Sequence, residues 1–419
     1  MPFRGWMELN GEEFTNSSRL LAHLRPPAPT NDADIAPPLS CSCDIAVPYD
    51  DTWPGLEAAL NNGPYTLDRA PWYDASRPES AEFAGVWVMD VQGLDTVPVQ
   101  RDIAEAVCAG GVASWARDTS RNLTFSALVV ACSNAGARYG MNWLSCVLRQ
   151  SNIRGGVDLK FYRSHPSGTS APPATQLRTA YGTVLTKSPT VVEFAGKGGS
   201  TRHRQASVFR VEWEMTVTNP YLYGESATAA VGWDSIEEES IEWAHAPDCS
   251  DTASCDLPTI YNAECAPPVI ELEAAQIPVC GGCLPLCSIE RRTWQLSGVL
   301  PSVCEETTVS MRVKNDGTDP LTVNFFWRPC GSTDSCETTA PMSVSGLPGG
   351  MTVVADSITG RPYIDNNGTR QRQVGIVTTP TGAPWRPILL DTMLCWELVA
   401  ESAPGAQYTV ILELRERDS

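Results

Sequence analysis

Six cysteines, Cys249, Cys255, Cys265, Cys280, Cys283 and Cys287, crowd one stretch of this 419-residue chain. Cys280-Gly281-Gly282-Cys283 forms a tight turn, and Cys287 extends it to a C-x2-C-x3-C spacing. Such a turn brings thiolates close enough to ligate zinc or an iron–sulfur cluster, with Cys265 or Cys249 as a further ligand. The same residues also read as disulfides, Cys249 and Cys255 among them, stapling a segment too small and polar for its own core. No histidine stands at ligand spacing, so disulfides are the preferred reading. Cys330 and Cys336, bracketing residues 331–335, read as one loop-closing disulfide. Cys41 and Cys43 are too close for an easy mutual bond and need partners elsewhere. The total of 15 cysteines is odd, so at least one thiol stays free unless it bonds another chain or a metal.

Other constellations point away from catalysis. Glu212 and Glu214, with Glu242, have the residue types of a glycosidase acid/base pair. Acids at i and i+2 of a regular strand mark a solvated face instead. His23, His165, His203 and His245 adjoin no Gly-x-Ser-x-Gly, and no His-Glu-x-x-His occurs. Residues 196–201, GKGGST, lack phosphate-loop spacing and read as a hairpin. Among the aromatics of the C-terminal third, Trp396 in MLCWELV reads as core and Trp385 as exposed in the loop after Gly382-Ala383-Pro384. Trp385 and Tyr363 are therefore candidates for stacking on a sugar ring or meeting a neighbouring subunit. No enzyme activity and no cofactor are expected.

The elements that would position these groups are mainly strands. Gly and Pro number 32 and 33, and only 19% of residues are charged, a texture of β-structure with many turns. The expected fold is mainly β, built of β-sandwich domains, with one or two helices packed on the N-terminal sheet. The N-terminus reads as a strand, FRGWMEL, then a turn at Gly11 and the segment NSSRLLAHL. Residues 31–70 form a Pro/Asp-rich excursion, with a helix capped by Asp51-Thr52 and ended at Asn61-Asn62-Gly63. A helix with a glycine-marked end is expected over VPVQRDIAEAVCAGG. Leu123, Phe125, Ala127 and Val129 alternate as a strand, and Val211, Trp213, Met215 and Val217 as another. Between them, Cys132-Ser133-Asn134 caps a helix whose Tyr139, Trp143, Cys146 and Val147 make an apolar stripe laid on the sheet. About six strands follow from Thr293, separated by Asn-Asp-Gly, Pro-Gly-Gly, Asn-Asn-Gly and Pro-Gly turns, at β-sandwich spacing. The domain division expected is 1–235, a cysteine-rich linker at 236–290, and a sandwich at 291–419.

Net charge is −19, and no basic stripe is present, so specific nucleic-acid binding is not expected. No segment reaches the roughly 18 apolar residues of a membrane span, and MPFRGWMELNGEEF lacks a signal-peptide core. Synthesis and assembly in the cytoplasm are expected, and service outside the cell would reconcile that with the many cysteines.

Three groups of residues carry a family resemblance. They are Phe3-Arg4-Gly5-Trp6 with Glu8-Leu9-Asn10-Gly11 and Asn16-Ser17-Ser18-Arg19; Ala135-Gly136-Ala137-Arg138-Tyr139-Gly140 with Trp143-Leu144 and the ending Asn219-Pro220-Tyr221-Leu222-Tyr223-Gly224; and residues 355–361 with 375–385. Together they span nearly the whole chain, which resembles the distal tail and minor tail proteins of siphoviruses of actinobacteria. The resemblance implies a belt-like domain over 1–235 that builds a ring of six copies at the tail tip. It implies a tail tube protein above, a tail hub below, and a galectin-like sandwich facing outward. Host-surface glycan is a further partner under the alternative of a peripheral minor tail protein or adhesin. The 31–70 excursion is expected as an arm to the next subunit.

Overall fold

A computed structural model of the chain describes residues 3–24, 66–105, 109–165, 172–195, 206–240, 243–245, 260–261, 288–296, 306–332, 338–366, 368–372, 375–391 and 393–418. The fold is mainly β, with three α-helices among the described residues. It divides into two compact units, Met1–Glu225 with Arg417–Ser419, and Ser226–Glu416.

The first unit begins with a hairpin of β1 (Phe3–Leu9) and β2 (Glu12–Asn16). Asn10 and Gly11 both carry positive φ, the backbone a two-residue hairpin turn demands. The helices are α1 (Ser17–Leu24), α2 (Pro78–Glu82) and α3 (Asn134–Arg149). The longer strands that follow are β3 (Phe83–Gln92), and, after the short β4 (Val99–Gln100), β5 (Ile103–Glu105), β6 (Gly111–Ala113) and β7 (Arg117–Asp118), β8 (Arg121–Ala131). Then come β9 (Val157–Tyr162), β10 (Leu177–Ala195), β11 (Val208–Val217) and β12 (Leu222–Tyr223). The sheet runs β2-β1-β9-β10-β11-β8-β3, every pair antiparallel.

The expected alternation in β8 and β11 holds. Leu123, Phe125, Ala127 and Val129 are buried beside Val211, Trp213, Met215 and Val217, with the Phe125 and Trp213 rings stacked 4.8 Å apart. Helix α3 covers this face. Ser133 is its cap, its Oγ accepting from the Gly136 N–H at 3.0 Å. The stripe it buries differs from the one expected. Ala137, Gly140, Leu144, Val147 and Leu148 are buried, Tyr139 and Trp143 flank them half-buried, and Cys146 faces solvent as a free thiol. The reason is a close approach at Gly140, where the Phe83 ring fills the space a side chain would occupy. That contact rotates the buried face toward the small residues. On the other side of the sheet, α1 lays Leu20 against Trp87, Val130 and Val208.

The second unit contains two sheets. One is built on β18 (Glu306–Asn315), which pairs with β27 (Tyr408–Asp418), β21 (Thr352–Asp356) and β25 (Ile388–Asp391). β22 (Arg361–Asn366) and β23 (Thr369–Gln371) extend it past β21, and β13 (Ala227–Ala230) pairs with β27. The other runs β14 (Ser235–Ser240), β17 (Ser288–Leu296), β26 (Trp396–Ser402), β19 (Leu321–Pro329), β20 (Thr339–Leu347) and β24 (Val377–Thr378). The short β15 (Trp243–His245) and β16 (Ile260–Tyr261) pair with each other. Trp327, Val344, Leu398 and Leu412 belong to one shared core. Residues 226–240, assigned from sequence to the belt-like domain and the linker, supply β13 and β14 to this unit.

Buried Asn315 ties its turns together. Its Nδ2 donates to the carbonyls of Asp319 (2.7 Å) and Leu347 (2.8 Å), and its Oδ1 accepts from the Gly317 N–H (2.9 Å). Asn315→Ala removes all three bonds and leaves the Leu347 carbonyl without this partner in a buried place, an omission costing about 1–3 kcal/mol. The expected result is destabilisation of this unit by about 3 kcal/mol in chemical denaturation followed by tryptophan fluorescence.

Candidate assembly arm

Between β3 and β8 the chain leaves the sheet as a narrow ribbon. β4 pairs with β7 (Val99↔Asp118, Gln100↔Arg117), and β5 with β6 (Ile103↔Ala113, Ala104↔Val112, Glu105↔Gly111). Asp102 and Ser114 link the two pairs, the Ser114 N–H donating to the Asp102 carbonyl at 2.8 Å. Strands replace the helix expected here. Ile103, Ala104 and Glu105 all lie exposed, so no core stabilises a helical face, and backbone pairing across Gly110, at φ +99°, takes over.

The root of the ribbon is built firmly. Arg121, almost wholly buried, donates to the carbonyls of Leu94 (2.7 Å) and Pro220 (3.0 Å), so it ties the start of the excursion and the chain past β11 to the excursion's return. Burial pushes its guanidinium below the usual arginine range. Gly93 sits at φ +94°, and a Cβ there would lie 2.0 Å from the Asn122 carbonyl oxygen, so only glycine permits the crossing. Tyr221 donates its hydroxyl to Asp118, and burial first, then this bond, raises its pKa.

The ribbon carries uncovered apolar side chains on both faces, Ile103 with Ala113 on one and Val112 with Ala104 on the other. Ile103 is 67% exposed, Val112 71% and Trp115 96%. Scattered exposed apolar residues are ordinary, but three large ones on a two-stranded ribbon are not. An isolated two-stranded ribbon is marginal in water and gains stability from a third strand or a packed face. This is chemistry for docking, and no sequence motif signals it. The residues expected to reach a neighbour, 31–70, lie outside the described residues apart from 66–70.

The other candidate residues fall elsewhere. Trp385 is buried, 8% exposed, in the core of the second unit with Ile388 and Leu390. Residues 379–383 double back, the Thr379 N–H donating to the Ala383 carbonyl at 2.8 Å, and the Thr378↔Pro384 bridge turns the indole inward. This corrects its assignment as an exposed contact. Trp396 is core, as expected, and Tyr363 is half-buried beneath the Arg370 guanidinium, 4.9 Å from its ring centre.

Cys330 bonds Cys395 rather than Cys336. Pro329 and Trp396 are in register across β19 and β26, so Cys330 and Cys395 continue that ladder with Cα atoms 5.3 Å apart. Cys132 is also disulfide-bonded. Cys249, Cys255, Cys265, Cys280, Cys283, Cys287 and Cys336 lie outside the described residues, as do Glu242, His203 and residues 196–201. Glu212 and Glu214 occupy the solvated face of β11. Glu214 pairs with Lys187 at 3.1 Å and Glu212 approaches Arg210 at 3.9 Å, the arrangement of a surface strand.

No protein-family model and no curated protein matches the chain. Among solved structures it is similar to the Dit protein (gp 19.1) of phage SPP1, described as a paradigm of the hub adsorption apparatus in phages infecting Gram-positive hosts. That similarity is at 13% identity over 81% of this chain and 96% of the other, with a TM-score of 0.42. It is also similar to a chain of the phage P2 baseplate in its activated conformation with calcium, at 11% identity over 82% of this chain and 92% of the other, TM-score 0.38.

Proposed function

We propose that the chain is a structural virion protein, a distal tail protein that forms a ring at the tail tip of a siphovirus. The observation that carries this reading is the exposed apolar arm on a rigid root. An arm that holds Ile103 on one face and Val112 on the other, both outside its own fold, fits into a groove on a neighbouring copy. Repeated head-to-tail contacts of that kind close into a ring when the rotation permits. The family resemblance in the sequence supplies the remainder: six copies, a tube protein above, a hub below, and the second unit as the outward galectin-like sandwich. The reading is non-enzymatic, and the ion-paired surface position of Glu212 and Glu214 supports it.

The test is the native mass of the purified chain by light scattering, with negative-stain imaging. A closed ring, six-fold as expected, upholds the proposal. A monomer at every concentration, even with tube or hub protein added, overturns it in favour of a peripheral tail protein or adhesin.

A further inference from the structure

We propose that Arg417 and Asp418 latch the root of the arm, so that the arm is held for docking only after the chain has passed through the second unit and returned. The proposal takes from the ring reading what the arm docks to, while the latch itself stands on contacts within the first unit. The chain leaves that unit at Glu225 and re-enters it with Arg417–Ser419.

Charge specifies the re-entry. Arg178 of β10 has a side chain only 1% exposed, and its Nε lies 2.6 Å from an Asp418 carboxylate oxygen, 240 residues further along the chain. Its Nη1 is taken up by the carbonyls of Thr175 and Leu177, both at 2.9 Å. Arg163 adds a second cation 3.4 Å from Asp418. A buried guanidinium without its counter-ion is strongly unfavourable, so this site is complete only when Asp418 arrives.

The same two residues reach the arm. Asp418 is in register with Leu222 and Arg417 with Tyr223, so the returning chain pairs with β12, which β10 holds from the other side. The Arg417 guanidinium lies 4.0 Å from the centre of the Tyr221 ring. Tyr221 in turn holds Asp118 at the end of β7, and the neighbouring Pro220 carbonyl receives Arg121. Asp418 also stands close enough to Arg121 to offset part of the depression that burial imposes on it. Residues 220–223 therefore join the returning chain to the arm's return strand. Synthesis runs from the N-terminus, so the arm precedes its latch by the whole second unit. A loose root spreads the arm over many orientations, and only the fraction correctly aimed can dock.

Hydrogen exchange by mass spectrometry on the full chain, read beside native mass, tests the latch. Asp418→Asn is expected to speed exchange at residues 93–95 and 117–121 about tenfold or more, and to reduce ring formation. Asp418→Glu keeps the charge and is expected to stay close to the parent chain. Tyr221→Phe removes only a hydroxyl, so exchange is expected to rise at 117–119 with 175–178 unchanged. This variant reports on the latch even if Asp418→Asn impairs folding. Exchange that rises only in β10 and β12 in Asp418→Asn overturns the proposal, as does a root unaltered in Tyr221→Phe. Exchange reads single chains as well as rings, so failure of the latch is distinct from failure of the ring reading.

Discussion

Replacing Ile103, Val112 and Trp115 together by serine is expected to leave a folded chain that no longer assembles. All three side chains are largely solvent-exposed in the single chain, so their removal costs the fold little. Burying such side chains against a neighbour stabilises a contact by about 1.5–3 kcal/mol each. Loss of three removes at least about 5 kcal/mol per contact, on the order of a thousandfold in association. Every subunit of a ring gives one arm and receives one, so the defect repeats at each interface and closure fails. Light scattering would read a monomer where the parent chain reads a ring, with circular dichroism unchanged. Met393→Ser removes another exposed apolar side chain, in the second unit, and serves as the control that leaves assembly intact. Rings that persist in the triple variant would remove the arm from the mechanism.

Gly140→Val is expected to damage the first unit severely. A Cβ at this position would lie 2.3 Å from the Phe83 ring, well inside contact distance. Phe83 is wholly buried and packs edge-on against Trp72 at 5.0 Å, so the ring has nowhere to go. Overpacking of this kind costs about 1–3 kcal/mol where the core can shift, and more where it cannot. Valine adds two further methyl groups, so a loss of at least about 3 kcal/mol is expected in denaturant titration. Phe83→Leu on the Gly140→Val background should recover part of it, because the two residues share one space. Purely additive losses in that double-mutant cycle would contradict the close-approach account.

The resemblance to the distal tail proteins rested on the same helix, and Gly136 and Gly140 show why such a segment has a recognisable texture. Both are small because α2 and the start of β3 press against them. That reason belongs to packing, yet it leaves a trace in the sequence. The arm leaves no such trace. Its residues, VQRDIAE and GVAS, suit a helix or a strand equally by local propensity, and only the absence of a covering core decides for the strand.

Element types follow from local sequence where period and punctuation agree. The two-residue alternation of β8 and β11, the Asn10-Gly11 turn, the Ser133 cap and the glycine turns of the second unit are all local properties of the backbone and its solvation. Tertiary structure alone decided the partnerships. Cys330 met Cys395 because two strands 65 residues apart in sequence came into register. Trp385 turned inward because a bridge closed its loop, and Cys146 turned outward because Phe83 claimed the space beside Gly140. In each case the deciding term is a contact between segments distant in sequence. Such contacts form only once the chain has folded back on itself, so no window of local sequence contains them.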